Sequence, residues 1–306
     1  MRKMWRYAIK DMGRISESMR LHKKKTGLVL EGGAMRGMYT AGVLDVFMEN
    51  GISFDGVIGT SMGAITGCSY VSEQKGRTIR YNKKYCKDKR YMSFYSLLKT
   101  GDLVGNQFCY HELPEKLDPY DNEAFKRSGT KFYVTCTNVE TGEAEYIKIN
   151  DMVKEIDYLR ASASMPYVSR IVEFRGKKML DGGCSDSIPL RAFTEMGYEK
   201  NVVVLTRPAE YRKKPEKKGL IRLFYKKYPK FAAALENRAE EYNRMAEEIL
   251  RLEQQGKVFV IRPETPLEIG RMSHDVKKIE GAYERGRADG QASLQRMRQW
   301  LASEEG

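Results

Sequence analysis

Residues 54–67 read FDGVIGTSMGAITG. FDGVIGT carries the short apolar run of a buried strand, and AITGCSYV (64–71) continues with helical character. Between them GTSMG at 59–63 matches the pattern G-x-S-x-G. A backbone that turns this sharply from strand to helix needs small neighbours around the serine, and Gly59 and Gly63 supply them. Such a turn lifts the hydroxyl clear of its neighbours, so Ser61 is a candidate nucleophile.

The same order of strand, tight turn and helix stands just upstream. Gly27 to Leu30 is strand-like, EGGAMRG at 31–37 is the turn, and TAGVLDVFMENG continues as a helix. Backbone N–H groups unpaired at a helix start form an anion-binding nest, and glycines let a substrate approach the main chain. An oxyanion hole requires both. A nucleotide-phosphate loop fits less well, because GxGxxG is not matched and no GK[ST] follows; a purely structural turn is the other reading. Downstream, RIVEF, a turn at Arg175 and Gly176, and KKML lead into DGG at 181–183. An aspartate at a strand end, followed by Gly182 and Gly183, is expected to project its carboxylate into open space, although Asp-Gly is also a common turn dipeptide.

The runs FYVTCTNV (132–139), EYIKI (145–149), VVVL (202–205) and VFVI (258–261) add strands. Their alternation with helices predicts an α/β fold, a mostly parallel central sheet with helices on both faces in a three-layer α/β/α arrangement.

EGGAMRG, GTSMG, ASASMPYV at 161–168 and DGG at 181 stand in the order and spacing of one known family. Over about residues 26–206 the chain resembles the patatin-like phospholipases, with weaker similarity at GAYERGRADG in the last helix. The resemblance implies Ser61 as nucleophile, Asp181 as its dyad partner, and Gly32, Gly33 and Ala34 as the oxyanion loop. Arg36, Gly59, Gly63, Gly182 and Gly183 would support them. The implied activity is that of a serine acyl-ester hydrolase of phospholipase A or lysophospholipase type. It would cleave fatty-acyl esters of membrane lipids through an acyl-enzyme, with no metal and no cofactor. The family usually shows three successive glycines in the loop, and here the third place is Ala34. Alanine keeps the N–H donor, but a left-handed backbone there costs roughly 1 kcal/mol.

A Ser-His-Asp esterase or an acyltransferase using His274 is the competing enzyme class, and only His22, His111 and His274 are available. His274 follows Asp181 in the chain, as a triad order demands, but stands at the start of a charged helix rather than in a loop after a strand. DPYDNE at 118–123 gathers acids but lacks the glycine and terminal glutamate of a calcium loop, so a solvated turn is expected. The five cysteines are scattered without a CxxC pair, which suggests neither a disulfide framework nor a zinc site.

A length of 306 residues suits one large domain with appendages, and 41% apolar with 31% charged residues excludes a disordered or fibrous chain. The expected organisation is an amphipathic basic helix at 1–25, a catalytic core at 26–210, a basic, apolar surface insertion at 211–232, and C-terminal helices with one strand at 233–306. In 1–22, Met1, Met4, Trp5, Ala8, Met12, Ile15 and Met19 recur at helical spacing, for a helix packed on the domain or lying on a membrane. Residues 235–255 show helical spacing too, and a last helix follows Ser273 as N-cap.

The start lacks the apolar core of a signal peptide, and no run is long enough to span a membrane. A cytoplasmic location, peripheral on the inner membrane face, is therefore expected. A net charge of +13 calls for an anionic partner. Residues 212–230, RKKPEKKGLIRLFYKKYPK, interleave cations with Leu220, Ile221, Leu223, Phe224, Tyr225 and Tyr228. They are expected, with 1–25, to touch anionic membrane. The contrasting class is a non-enzymatic basic protein binding anionic membrane or nucleic acid, but no zinc-finger, RRM or homeodomain signature appears, so no nucleic-acid partner is expected. The sequence leaves the oligomeric state open.

Overall fold

The computed structural model describes residues 24–303. The amphipathic helix expected in residues 1–22 lies outside the described residues. The strands are β1 (Lys25–Leu30), β2 (Gly56–Thr60), β3 (Lys131–Asn138), β4 (Ala144–Ile149), β5 (Val172–Phe174), β6 (Lys177–Asp181), β7 (Tyr198–Val204) and β8 (Val258–Ile261). They form one sheet, in which β3, β2, β1, β7 and β8 are successive parallel neighbours. β4 and β6 join β3 antiparallel, and β5 pairs antiparallel with β6.

The helices are α1 (Gly37–Glu49), α2 (Met62–Val71), α3 (Arg77–Tyr85), α4 (Phe94–Thr100), α5 (Asn122–Arg127), α6 (Ile156–Ser162), α7 (Leu190–Glu195), α8 (Lys218–Phe224), α9 (Pro229–Gln254) and α10 (Val276–Ala302), with a π-helix at Phe108–Leu117. Alternation along the central strands divides the core into two layers. Leu28, Leu30, Val57, Val202 and Val204 pack with Val43 and Phe47 of α1 and Leu294 and Met297 of α10. Val29, Ile58 and Val203 point the other way, onto Phe193 of α7 and Tyr242 and Ile249 of α9. The fold is therefore the three-layer α/β/α arrangement expected, and each fully buried Val, Leu or Ile contributes about 1.5–3 kcal/mol.

α1 and α10 touch backbone to backbone. A Cβ on Gly42 would lie 2.1 Å from the Tyr283 carbonyl oxygen, and one on Gly286 1.9 Å from that of Tyr39. Tyr283 and Tyr39 clamp the pair by donating their hydroxyls to Asp45 at 2.7 Å and Asp289 at 2.8 Å. GAYERGRADG therefore serves here in helix packing.

Three local expectations change. The N-cap of α10 is Asp275, whose carboxylate accepts from the N–H groups of Lys277 and Lys278, rather than Ser273; an ionised carboxylate answers the helix dipole better than a hydroxyl. The acidic run at 118–123 is solvated only in part, with Asp121 and Glu123 exposed. Asp118 is buried and accepts two bonds from the Arg80 guanidinium at 2.7 and 2.8 Å, and Asp121 caps α5. The basic insertion is built into the core on one side, where Ile221 is fully buried with Phe231 and Leu235, while Leu220, Leu223 and Phe224 stay exposed. Among the described residues no helix is long and apolar enough to cross a membrane.

Candidate active site

The site forms where two strands meet end to end. β2 pairs with β3 as far as Thr60 opposite Thr135, and β6 pairs with β3 at Cys136, Thr137 and Asn138, with Asp181 opposite Cys136. β4 occupies the other edge of Thr135, Cys136 and Thr137. β2 and β6 therefore share one edge of β3, running toward each other, and the residue that leaves β2, Ser61, meets the residue that ends β6, Asp181.

Ser61 has φ 55° and ψ −123°, a backbone conformation L-residues avoid at a cost of about 1–3 kcal/mol. The surroundings hold it there. Its N–H donates to Ser162 Oγ at 2.8 Å, and that hydroxyl donates onward to the Thr135 carbonyl at 2.6 Å. Ser162 belongs to the ASASMPYV segment, whose place in the sequence pattern thereby acquires a structural cause. The flanking glycines are needed for close approach: a Cβ at Gly63 would lie 2.5 Å from the Leu30 carbonyl, and one at Gly59 2.6 Å from the Ala64 nitrogen.

Asp181 is buried, not projected into open space as its sequence context suggested. Gly182 lies directly against the Thr135 carbonyl, and the Gly183 N–H donates to Asp181 Oδ1 at 2.7 Å. Burial pushes the carboxyl above its usual range; the positive charge of Arg238 and hydrogen bonding from Gly183 and Ser61 hold the rise back. Ser61 and Asp181 line one and the same recess.

Gly32, Gly33, Ala34 and Arg36 line the recess that holds Ser61 and Asp181. The Gly32 N–H is already donated to the Ser187 carbonyl at 3.1 Å, whereas those of Gly33 and Ala34 have no hydrogen-bond partner among the described residues. Ala34 has φ 48°, so the left-handed backbone anticipated at the missing third glycine is indeed adopted. Arg36 is buried, and burial together with the charge of Arg207 lowers its guanidinium to about 10.

The sequence did not single out the other walls. Arg207, Lys213, Arg238 and Arg271 line the same recess. Lys213 donates to Ser187 Oγ at 3.3 Å, and burial, with the nearby Arg238, draws its ammonium down to about 7. Inside a basic run, nothing but tertiary contact distinguishes it from its neighbours. Ser61, Met62 and Ile65 also line an adjoining apolar recess that shares Ala34, Met165 and Arg271 with the first, and Met62, Ile65, Tyr91, Val104 and Tyr110 continue it into a further apolar chamber under the π-helix.

His274 does not line the recess; its ring pairs with the Met92 carbonyl at 2.6 Å. His111 lies in the far apolar chamber beside Glu115, and His22 is outside the described residues. Cys184, behind Asp181, is fully buried and its thiol is pushed far up by desolvation.

The fold and the site define an α/β protein in which a strained serine at a strand-to-helix turn faces a buried aspartate and unpaired main-chain donors. A family model described as patatin-like phospholipase matches residues 28–194, and the chain belongs to that family. A further model, described only as a domain of unknown function, matches residues 228–302. The uncharacterized protein YjjU of Escherichia coli (strain K12) is 28% identical over 197 residues, 63% of this chain and 55% of that protein. The lysophospholipase NTE1 of Kluyveromyces lactis is 28% identical over 182 residues, 58% of this chain and 12% of that protein. The chain thus spans about half the length of the first and about an eighth of the second. Among solved structures, VipD from Legionella pneumophila aligns with TM-score 0.41 and 12% identity, covering 88% of this chain and 67% of that one.

Proposed function

We propose that this chain is a serine acyl-ester hydrolase of phospholipase A or lysophospholipase type, acting on fatty-acyl esters of membrane lipids through a Ser61–Asp181 dyad. The observation that carries the reading is the single recess shared by Ser61, Asp181 and the unpaired N–H groups of Gly33 and Ala34, with an apolar channel leading away from the serine.

Ser61 Oγ adds to the ester carbonyl carbon while its proton passes to Asp181. A carboxylate of ordinary pKa is a weak acceptor for such a proton, and burial of Asp181 improves the match. The developing oxyanion takes the N–H groups of Gly33 and Ala34; each such donor contributes a hundredfold or more in rate. Collapse expels the alcohol, which leaves with the proton from Asp181, and the acyl group stays on Ser61. Water then gives its proton to Asp181, attacks the acyl-enzyme and releases the fatty acid, and the proton returns to Ser61. The reading invokes no metal and no cofactor.

We propose further that the protein works from the cytoplasm on the inner membrane face. The exposed Leu220, Leu223 and Phe224 of α8, among the exposed Lys217, Lys218 and Arg222, form the contact. Phe224 packs edge-on against Tyr167 at 5.3 Å, so this helix borders the segment that carries Ser162.

The test is hydrolysis of a lysophospholipid, paired with labelling by a fluorophosphonate. The wild type is expected to cleave the ester and to label at Ser61, and Ser61→Ala to lose activity by about a thousandfold or more. Turnover undiminished in Ser61→Ala would end the proposal.

A further inference from the structure

The recess beside Ser61 carries more positive charge than ester hydrolysis needs. Arg36 follows the oxyanion loop, Arg207 follows β7, Lys213 comes from the basic insertion, Arg238 from α9, and Arg271 from the stretch before α10. Five cations from separate parts of the chain thus converge on one space. Of these five cations only Arg238 forms an ion pair among the described residues, with Glu216 at 3.4 Å. Glu31 and Asp181, whose charges act on Arg36 and Lys213, are two acids against five cations, and neither forms an ion pair with them among the described residues. Glu31 accepts at Oε2 from the Thr206 N–H and hydroxyl and at Oε1 from the Tyr242 hydroxyl at 2.8 Å, and Asp181 accepts from the Gly183 N–H.

Buried cations are ordinarily paired, because an unpaired charge out of water is costly. Here Arg36 is only 7% exposed and its Nε has no hydrogen-bond partner among the described residues; the buried Nε of Arg207 has none among them either. Two guanidiniums that line one recess with no ion pair among the described residues suit an anion with several oxygens. The position of Ser61 identifies which part of a substrate lies there. Ser61 stands where two recesses join: Met62, Ile65 and Tyr110 line the apolar one, which suits an acyl tail, Arg36, Arg207, Lys213 and Arg238 line the cationic one, and Arg271 lines both.

We propose that this recess recognises phosphate, and that the preferred ester is an anionic phospholipid or lysophospholipid whose phosphate lies between Arg36, Arg207, Lys213 and Arg271 while its acyl carbonyl meets Ser61. The substrate half of this statement rests on the proposed hydrolase activity; the phosphate site does not. A zwitterionic choline headgroup fits poorly. Quaternary ammonium groups are held by open aromatic faces, and here Arg207 covers Tyr211 at 4.2 Å and Lys213 covers Tyr242 at 4.1 Å.

Calorimetry on full-length Ser61→Ala protein tests the site without catalysis. Glycerol 3-phosphate is expected to bind, glycerol not to bind, and glycerophosphocholine to bind at least tenfold more weakly. Lys213→Met, and separately Arg271→Gln at the exposed rim, should each weaken glycerol 3-phosphate at least fivefold. Absence of glycerol 3-phosphate binding, indifference to both substitutions, or equal affinity for the choline ester overturns the proposal. Inorganic phosphate binding as tightly as glycerol 3-phosphate overturns the headgroup assignment. In turnover, the ratio of kcat/KM for lysophosphatidylglycerol to that for lysophosphatidylcholine with the same acyl chain should exceed ten and fall in the Lys213 and Arg271 variants; a ratio near one overturns the substrate preference. Should neither ester be cleaved, the hydrolase reading has failed, and calorimetry still decides the phosphate site.

Discussion

Asp181 stands opposite Cys136, one step along β3 from the pair Thr60–Thr135, and so faces the serine that leaves β2 immediately after that pair. Their meeting depends on the register of two strands against a third, and on no loop. The rigidity of that arrangement tolerates a strained serine and a buried, raised carboxyl side by side.

Replacing Asp181 by Asn should lower turnover by about a hundredfold to ten-thousandfold, since the proton acceptor is lost while the amide oxygen can still accept from Gly183. For the wild type, kcat/KM should rise with pH as Asp181 deprotonates. Its folded-state pKa is raised above 3.8, so the acid limb should lie above that value. The same sign applies to stability: a carboxyl whose folded pKa is raised stabilises most below its unfolded pKa, and the benefit is lost as pH rises through the folded value. Asp181→Asn should therefore melt no lower, and at neutral pH higher, than the wild type in a thermal scan. A lower Tm contradicts this account.

Substitutions at Ser61 should separate strain from chemistry. Glycine adopts φ 55° and ψ −123° without the penalty that any side chain incurs. Ser61→Gly is expected to be more stable than Ser61→Ala by about 1 kcal/mol, with both inactive, as read from denaturant midpoints at constant slope. Equal midpoints would show that the turn stores no strain.

Lys213→Met should raise the Tm at pH 7 while weakening anion binding. The ammonium lies near Arg238 and Arg271, opposed by Glu31 and Asp181, and its pKa of about 7 is far below the ordinary value for lysine. A lysine depressed in the folded state costs stability wherever only the unfolded chain is fully charged, so the gain from removing it should grow as pH falls from 10 toward 7. In the wild type, phosphodiester affinity should decline as pH rises through about 7 and the ammonium loses its charge. Calorimetry at several pH values measures it, and a flat affinity profile in both wild type and Lys213→Met refutes it.

Membrane docking should follow α8. Replacing Leu220, Leu223 and Phe224 by Ser removes the exposed apolar side chains but leaves Ile221 and Tyr225 in the core. Flotation with phosphatidylglycerol vesicles should fall severalfold, and more steeply than the cleavage of a short, soluble ester. Undiminished flotation removes α8 from the interface.

The strands, the turn around Ser61 and the Gly-rich stretch after β1 were legible because each is a local constraint. Apolar periodicity marks what is buried, and small residues mark where backbone passes close to backbone. The open position expected for Asp181 and the cap expected at Ser273 failed for one reason: a dipeptide or a hydroxyl states what is possible locally, and the neighbour that decides among the possibilities is distant in the chain. Lys213 is the extreme case, since its environment comes from Tyr242, Ser187 and Arg238, none of them adjacent in sequence.

By itself, the order of residues determined the layered α/β fold and the chemical identity of the groups at its strand ends. Short-range sterics and burial leave few other conformations for such segments. Tertiary structure alone decided that β6 would abut β2 on the same edge of β3, that the Gly32 donor would be taken by Ser187, and which cations would surround Ser61. Those outcomes depend on strand register and on helices packing from far along the chain, where the energy of many contacts outweighs any local preference.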